Sequence, residues 1–353
     1  MRALTIVPGK ADSLAVREVE DPRPGPGELL VRGLALGVCG TDREIAAGDY
    51  GWAPAGREYL VLGHESLGRV EHAPADSGFA AGDLVVGIVR RPDPVPCSAC
   101  AHGRFDMCRN GRYTERGIKD VDGYGSELWC VETDYAVRLP PELERTGVLT
   151  EPTSVVAKAW DQIDRIGQRG YFAPERALIT GAGPIGLLAA MIGAQRGLDV
   201  HVLDRVTDGI KPDLVRRLGA TYHHDDPAEV ADRLDPDVVI EATGVGQVVF
   251  DMIAHTSPTG IVCLTGVSPR GRTLTVDAGA VNRTMVLDNE VVVGSVNASH
   301  DHYHQAVEAL AAADPHWLEA LVTRRVGLDK IPAGFQAEEG DVKLVVALDD
   351  VHM

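Results

Sequence analysis

Residues 176–204 read RALITGAGPIGLLAAMIGAQRGLDVHVLD, and this stretch decides the architecture of half the chain. RALIT is a short apolar run of strand type, and a glycine turn follows it directly. LLAAMIGAQRG then has the character of an apolar helix, and DVHVLD is a second strand. Gly181, Gly183 and Gly186 stand as G-x-G-x-x-G at the first junction, with Pro184 and Ile185 between the second and third glycines. The first glycine permits a tight turn, and the second lets backbone approach a pyrophosphate at the helix N-terminus. The third lets helix and strand pack closely. A strand–turn–helix setting turns a weak motif into a dinucleotide site. Asp204 closes the next strand, 18 residues past Gly186, about where a carboxylate holds the ribose 2′-hydroxyl of NAD. Arg205 beside it would accept a 2′-phosphate, so NADP stays open. The plain alternative for Asp204 is a solvated loop acid.

Further along, KPDLVRRLGA reads as a helix ending at glycine, and DVVIEATG, IVCLTGV and VVVGSV read as strands. This alternation predicts an α/β, doubly wound parallel sheet. Upstream, Met1 to about Arg138 consists of short strand-type runs such as LLVRGLALGVCG and DLVVGIV, broken by Gly and Pro. A polar, cysteine-bearing lobe interrupts it between Pro92 and Gly125. EPTSVVAKAWDQI from Glu151 has helical spacing, and the tail adds a helix, HYHQAVEALAAA, and a strand, KLVVALDD.

A length of 353 residues suits two domains, and 44 % hydrophobic residues supply two cores. The formal net charge is −18. Such a surface repels nucleic acid and anionic membranes. MRALTIVPGK has no signal-type apolar segment, and no run of membrane-spanning length occurs, so the expected location is the cytoplasm. Three of the six cysteines, Cys97, Cys100 and Cys108, fall close together, which in a reducing compartment points to metal before disulfide.

Cys39 sits in GVCGTD, His64 and Glu65 in GHES, and Glu151 in TEPT. Each set is bland alone. Together they offer a thiolate, an imidazole and carboxylates, a donor set that suits Zn²⁺ with one position open to a substrate oxygen. Thr41 is placed to relay a hydroxyl proton outward.

Cys-Gly-Thr-Asp at 39–42, Gly-His-Glu at 63–65, Glu-Pro at 151–152 and the glycines at 181–186 together resemble the medium-chain zinc alcohol dehydrogenases over nearly the whole length. The resemblance implies a GroES-like β-barrel catalytic domain over residues 1–156, completed by 293–353, and a Rossmann cofactor domain over 157–292. It implies zinc on Cys39, His64 and Glu151, with Glu65 a ligand or a near neighbour. Val-Arg-Arg-Pro at 89–92, Glu-Arg-Gly at 115–117, Gly-Tyr-Gly-Ser-Glu at 123–127, Leu-Thr-Glu-Pro at 149–152 and Gly-Ser-Val-Asn at 294–297 look like the archaeal-type glucose dehydrogenases. By that resemblance Glu115, Asn297 and Glu151 bind sugar hydroxyls. The alternatives are a surface salt bridge for Glu115 and a turn cap for Asn297. Glu44 stands where many zinc alcohol dehydrogenases carry the last histidine of the proton relay, so the outer end of the relay has no assigned group.

The family's structural zinc lobe carries C-x2-C-x2-C-x7-C. Cys97, Cys100 and Cys108 keep the last three, and Pro94 replaces the first. Asp93, or else His102, is the expected substitute ligand of a second, structural zinc. Cys130 and Cys263 are expected as buried apolar fillers, and His300, His302 and His304 as surface residues opening a helix. Three activities fit the whole. The first is oxidation of an aldose at C1 to a lactone. The second is oxidation of another polyol, aminocyclitol or secondary alcohol, and the third a non-catalytic nucleotide-binding partner, which the intact ligand set disfavours. Relatives are dimers or tetramers, and VVVGSV is a candidate edge strand for such contacts.

Overall fold

The structure is a computed structural model and describes residues 1–269, 271–349 and 352. Two compact units divide the chain, Met1–Ser154 with Ala298–Met353, and Val155–Asn297. The first boundary falls inside the helix Thr150–Gly167.

In the first unit the long strand Glu28–Val38 organises the sheet. The order across it is Ala136–Leu139, Leu84–Gly87, Glu65–His72, Glu28–Val38, Leu344–Ala347, Arg324–Gly327, with Leu128–Glu132 also paired to Glu28–Val38. The register sets Gly37 opposite Glu65 on one side and Val345 on the other. A Cβ at Gly37 would stand 1.9 Å from the Glu65 carboxylate, so glycine there makes room for an acid crossing the sheet. Leu4, Leu36, Val85, Trp129 and Val346 are among the side chains of the core beneath. Tyr124 and Trp129 meet edge to face at 4.8 Å, worth about 1 kcal/mol beyond simple burial. Helix Gly40–Ala47, which the strand-rich reading of this region did not anticipate, follows Cys39 directly. Arg90–Arg91, just before the cysteine lobe, forms a small sheet with Thr114–Arg116 and Asp120–Val121 inside it, with Arg90 opposite Glu115.

The second unit holds six parallel strands in the order Thr221–His223, Asp199–Leu203, Arg176–Thr180, Val238–Glu241, Ile261–Leu264, Val291–Gly294. Strand order reverses about Arg176–Thr180, which creates the crevice at strand C-termini where doubly wound sheets bind ligands. Val291–Gly294 lies at the sheet edge, paired among the described residues with Ile261–Leu264. No helix among the described residues is long and apolar enough to cross a membrane.

Two expectations need correction. Cys263 is fully buried, but Cys130 is only half-buried. The helix His300–Ala311 does open on the histidines, yet His302 is 1 % exposed. Its Nδ1 accepts from the Ser299 N–H at 3.0 Å and completes a capping box. His300 packs edge to face on Phe105 at 5.1 Å.

Candidate active site

Cys39, at the end of the central strand, caps the helix Gly40–Ala47, and its N–H donates to the Asp42 carboxylate at 2.9 Å. His64 immediately precedes the neighbouring strand, and Glu65 begins it. The ligand atoms of Cys39, His64 and Glu65 all lie within 4.8 Å of one another. Cys39 Sγ is 3.1 Å from His64 Nε2, while Asp42 sits 3.3 Å from His64 Nδ1. The ring thus has a carboxylate beside one nitrogen and presents the other toward the thiol, the arrangement that orients a metal-binding histidine. Burial pulls the His64 imidazole down, but the Asp42 and Cys39 charges hold it well above its ordinary value. Burial pushes the Cys39 thiol up, and His64 partly offsets this. Two buried acids, Asp42 and Glu65, stand close to the thiol, and a dication fits that donor set and its charge.

Lys343, from the C-terminal strand segment, forms an ion pair with Glu65, and both side chains are almost fully buried. Neither Asp42 nor Lys343 was singled out from sequence. The Asp42 signal was present, since an acid three residues past a capping position marks a helix start. Glu151 lies outside the tight cluster of described ligands but within its field. Burial pushes its carboxyl up to about 7, with His64 and Lys343 opposing and Glu65 and Asp42 adding to the rise. Thr41 stands in the first turn of the helix after Cys39, and Glu44 follows in the same helix.

Glu115 is no surface salt bridge. It is 5 % exposed and accepts from Arg90 Nε at 3.0 Å and Nη2 at 2.9 Å. Arg90 in turn donates to the Asp106 carbonyl and lies over the Tyr113 ring at 3.8 Å. Sequence reasoning missed Arg90 because its partnership exists only across two strands. Asn297 belongs to the Val155–Asn297 unit, half-buried with φ at 62°. The carbonyl of Val296 beside it accepts from Lys158 Nζ at 2.9 Å.

In the lobe the structure brings Cys97, Cys100 and Cys108 together but not the expected fourth ligand. The Asp93 carboxylate is spent on the Val95 N–H at 2.8 Å, on Asn110 at 2.8 Å and on Arg112 at 3.2 Å. His102 is exposed, its Nδ1 2.7 Å from the Ser98 carbonyl.

In the second unit Gly181 takes φ +92°, and its N–H donates to the Leu203 carbonyl at 2.7 Å. A Cβ at Gly186 would lie 1.7 Å from the Gly181 carbonyl oxygen, whereas one at Gly183 would meet nothing within 4 Å. The close approach and the open space fall where a dinucleotide fingerprint needs them. Pro184 and Ile185 open the helix Pro184–Gln195, half-exposed, with no side chain capping its N-terminus. A pyrophosphate fits those free amide groups. The Asp204 carboxylate accepts from the Ala182 N–H at 2.7 Å and the Val206 N–H at 3.2 Å, with Lys211 3.7 Å away. It holds the turn rather than lying loose in solvent, and Arg205 is exposed. Glu241, fully buried at the end of a central strand, accepts from the Thr243 N–H at 2.7 Å and from Thr180 Oγ1 at 3.2 Å. It ties the next loop down, a role the sequence pattern did not reveal.

Comparison with known proteins is uniform along the chain. Residues 25–141 match the alcohol dehydrogenase GroES-like domain, and residues 144–348 match the glucose dehydrogenase C-terminus. The chain is 42 % identical to glucose 1-dehydrogenase of Methanocella arvoryzae, covering 99 % of both chains. It is 38 % identical to glucose 1-dehydrogenase 2 of Vulcanisaeta moutnovskia, again over 99 % of both. Haloferax mediterranei glucose dehydrogenase, solved in complex with NADP, Zn and gluconolactone, superposes with a TM-score of 0.92 at 34 % identity, with 99 % of each chain covered. Matched from end to end by enzymes of one kind, the chain belongs to the glucose dehydrogenase family of zinc-dependent medium-chain alcohol dehydrogenases.

Proposed function

We propose that the chain oxidises the anomeric C1 hydroxyl of an aldose such as glucose to the lactone, with NAD⁺ or NADP⁺ as hydride acceptor. The carrying observation is the buried thiol–imidazole–carboxylate cluster of Cys39, His64 and Glu65 in a chain 42 % identical to a glucose 1-dehydrogenase. Zinc held by these residues, with Glu151 alongside, supplies Lewis acidity at the sugar oxygen. Asp42 fixes the His64 ring, and Lys343 fixes Glu65. Thr41 takes the hydroxyl proton and passes it toward Glu44, one helical turn on and on the same face. Glu115, set by Arg90, accepts a sugar hydroxyl, and Asn297 supplies a second polar contact. Gly181, Gly183, Pro184, Ile185 and Gly186 receive the coenzyme pyrophosphate, and Asp204 and Arg205 receive the adenosine ribose. The hydride leaves C1, the proton leaves through Thr41, and the lactone remains. Cys97, Cys100 and Cys108 hold a second zinc of structural role.

Initial rates of NAD⁺ and NADP⁺ reduction by zinc-loaded protein, across aldoses, polyols and simple alcohols, test the reading. Aldoses are expected to turn over. Glu115→Ala is expected to lower kcat/KM on them by about ten- to a hundredfold, because it removes one buried polar contact. Turnover confined to polyols or simple alcohols would overturn the aldose assignment and leave the scaffold chemistry standing.

A cytoplasmic location is part of the same reading, supported by six cysteines none of which forms a disulfide. So is a homodimer or homotetramer built on the edge strand Val291–Gly294. Val286, Leu287 and Val296, on either side of that strand in the chain, are at least 60 % exposed, and apolar surface beside an open strand edge favours pairing. Sedimentation velocity should show an oligomer at micromolar concentration, and a monomer there would remove the idea.

A further inference from the structure

Four tryptophans occur in the chain, and Trp129, Trp160 and Trp317 are buried. Trp52 is 46 % exposed, and Tyr50 beside it is 38 % exposed. Their rings meet edge to face, with centroids 5.0 Å apart and planes at 74°. Trp and Tyr are enriched where an apolar surface meets a polar ligand or partner, and these two are not on a loose loop. Gly48, at φ 85°, ends the helix that carries Thr41. Gly51, at φ 95°, brings the chain onto Ile45, where a Cβ would stand 3.1 Å from that side chain. The Trp52 N–H donates to the Ile118 carbonyl at 2.9 Å, and the Asp120 N–H donates to the Trp52 carbonyl at 3.2 Å. The aromatic pair is thereby fastened between the Thr41 helix and the turn that follows Glu115.

The same turn reaches the metal cluster. Gly117 lies so close to Gly63, the residue before His64, that a Cβ on it would be 2.3 Å from the Gly63 carbonyl oxygen. Tyr50 also senses the Glu115 carboxylate. Burial first, then the charge on Glu115, raises its phenol above the ordinary value.

A pyranose presents two surfaces, a rim of hydroxyls and two faces of C–H groups. Glu115 answers the rim, and none of the residues assigned so far covers a face. Apolar faces gain most from a fixed aromatic ring, which offers contact area at little entropic cost. We propose that Trp52, backed by Tyr50, is the stacking surface for the pyranose face and selects cyclic aldoses over open-chain polyols and small alcohols. The inference rests on the aldose reading above and adds the residues that read the shape of the ring.

Acrylamide quenching of tryptophan fluorescence reports chiefly on Trp52, since the other three are buried. A neutral quencher is needed because the net charge of −18 repels iodide. In zinc-loaded protein with NADP⁺, freshly dissolved gluconolactone should protect the exposed tryptophan without turnover, because both ligands are already oxidised. Sorbitol should not protect. In kinetics, Trp52→Ala should raise the aldose KM about five- to tenfold, the size of one lost aromatic contact. The same variant should leave kcat and the coenzyme KM within about twofold, and Trp52→Phe should recover most of the loss. If aldoses turn over with KM unchanged in Trp52→Ala and quenching is insensitive to the lactone, the stacking surface falls and the aldose reading stands. If the wild-type protein oxidises no aldose, both fall together.

Discussion

Cys39→Ala is expected to lose catalytic zinc and to lower kcat/KM on aldoses by about a thousandfold or more, since about 4 kcal/mol of transition-state stabilisation goes with the metal. The thiol contributes twice in this fold. It offers a donor atom 3.1 Å from His64 Nε2, and it accepts from the Asp42 N–H at the helix start. The second contribution is small, about 1 kcal/mol as for other capping groups. The variant should therefore fold, with a slightly lower melting temperature and an unchanged far-ultraviolet dichroism spectrum. Metal analysis after dialysis, read beside the rates, separates loss of zinc from loss of fold. A variant that keeps full activity while retaining no zinc would remove the metal from the mechanism.

The second large effect concerns stability. Lys343→Met takes the ammonium from Glu65 while leaving the acid inside the sheet, where both partners are at most 2 % exposed. Removing one member of a buried pair costs about 3–5 kcal/mol, because the survivor remains desolvated and unpaired. Melting of the metal-free protein should fall by about 10 °C. Adding Glu65→Gln should recover part of that loss by removing the stranded charge. Zinc adds a discriminating arm. If Glu65 is a ligand, the loaded Lys343→Met protein should lose less stability than the metal-free one, since the metal replaces the lost cation. An unchanged melting temperature in the metal-free variant would show that the pair carries no weight.

What the chain discloses before folding follows the range of the interactions. The turn at Gly181–Gly186 is legible because the requirement is local. A Cβ at Gly186 collides with a carbonyl five residues back, so the letters themselves carry the constraint. Cys39, His64, Glu65 and Glu151 are legible as donor types within recognisable motifs. Which of them close on one point is not, because that depends on a sheet register that puts Gly37 between Glu65 and the C-terminal strand. Lys343 and Arg90 stayed hidden for the same reason. Asp93 is placed by local contacts instead. Its spacing from the cysteines suits a ligand, and its carboxylate also accepts short-range bonds from Val95, Asn110 and Arg112 that the spacing does not reveal. His302 likewise looked like one more polar residue at a helix start, and the cap it makes needs the helix phase to be known.

The bond from the Ala182 N–H to Asp204 bears on how coenzyme choice can evolve in this scaffold. On the proposed coenzyme site, one carboxylate both braces the glycine turn, at 2.7 Å, and would stand where a 2′-phosphate has to enter. A lineage that traded this acid for a small neutral residue to welcome the phosphorylated coenzyme would also slacken the loop that grips the pyrophosphate. On that reading the two traits are linked through a single side chain. A clean switch therefore needs at least one compensating change in the turn, and single substitutions at this position should sacrifice affinity for both coenzymes before they exchange one for the other.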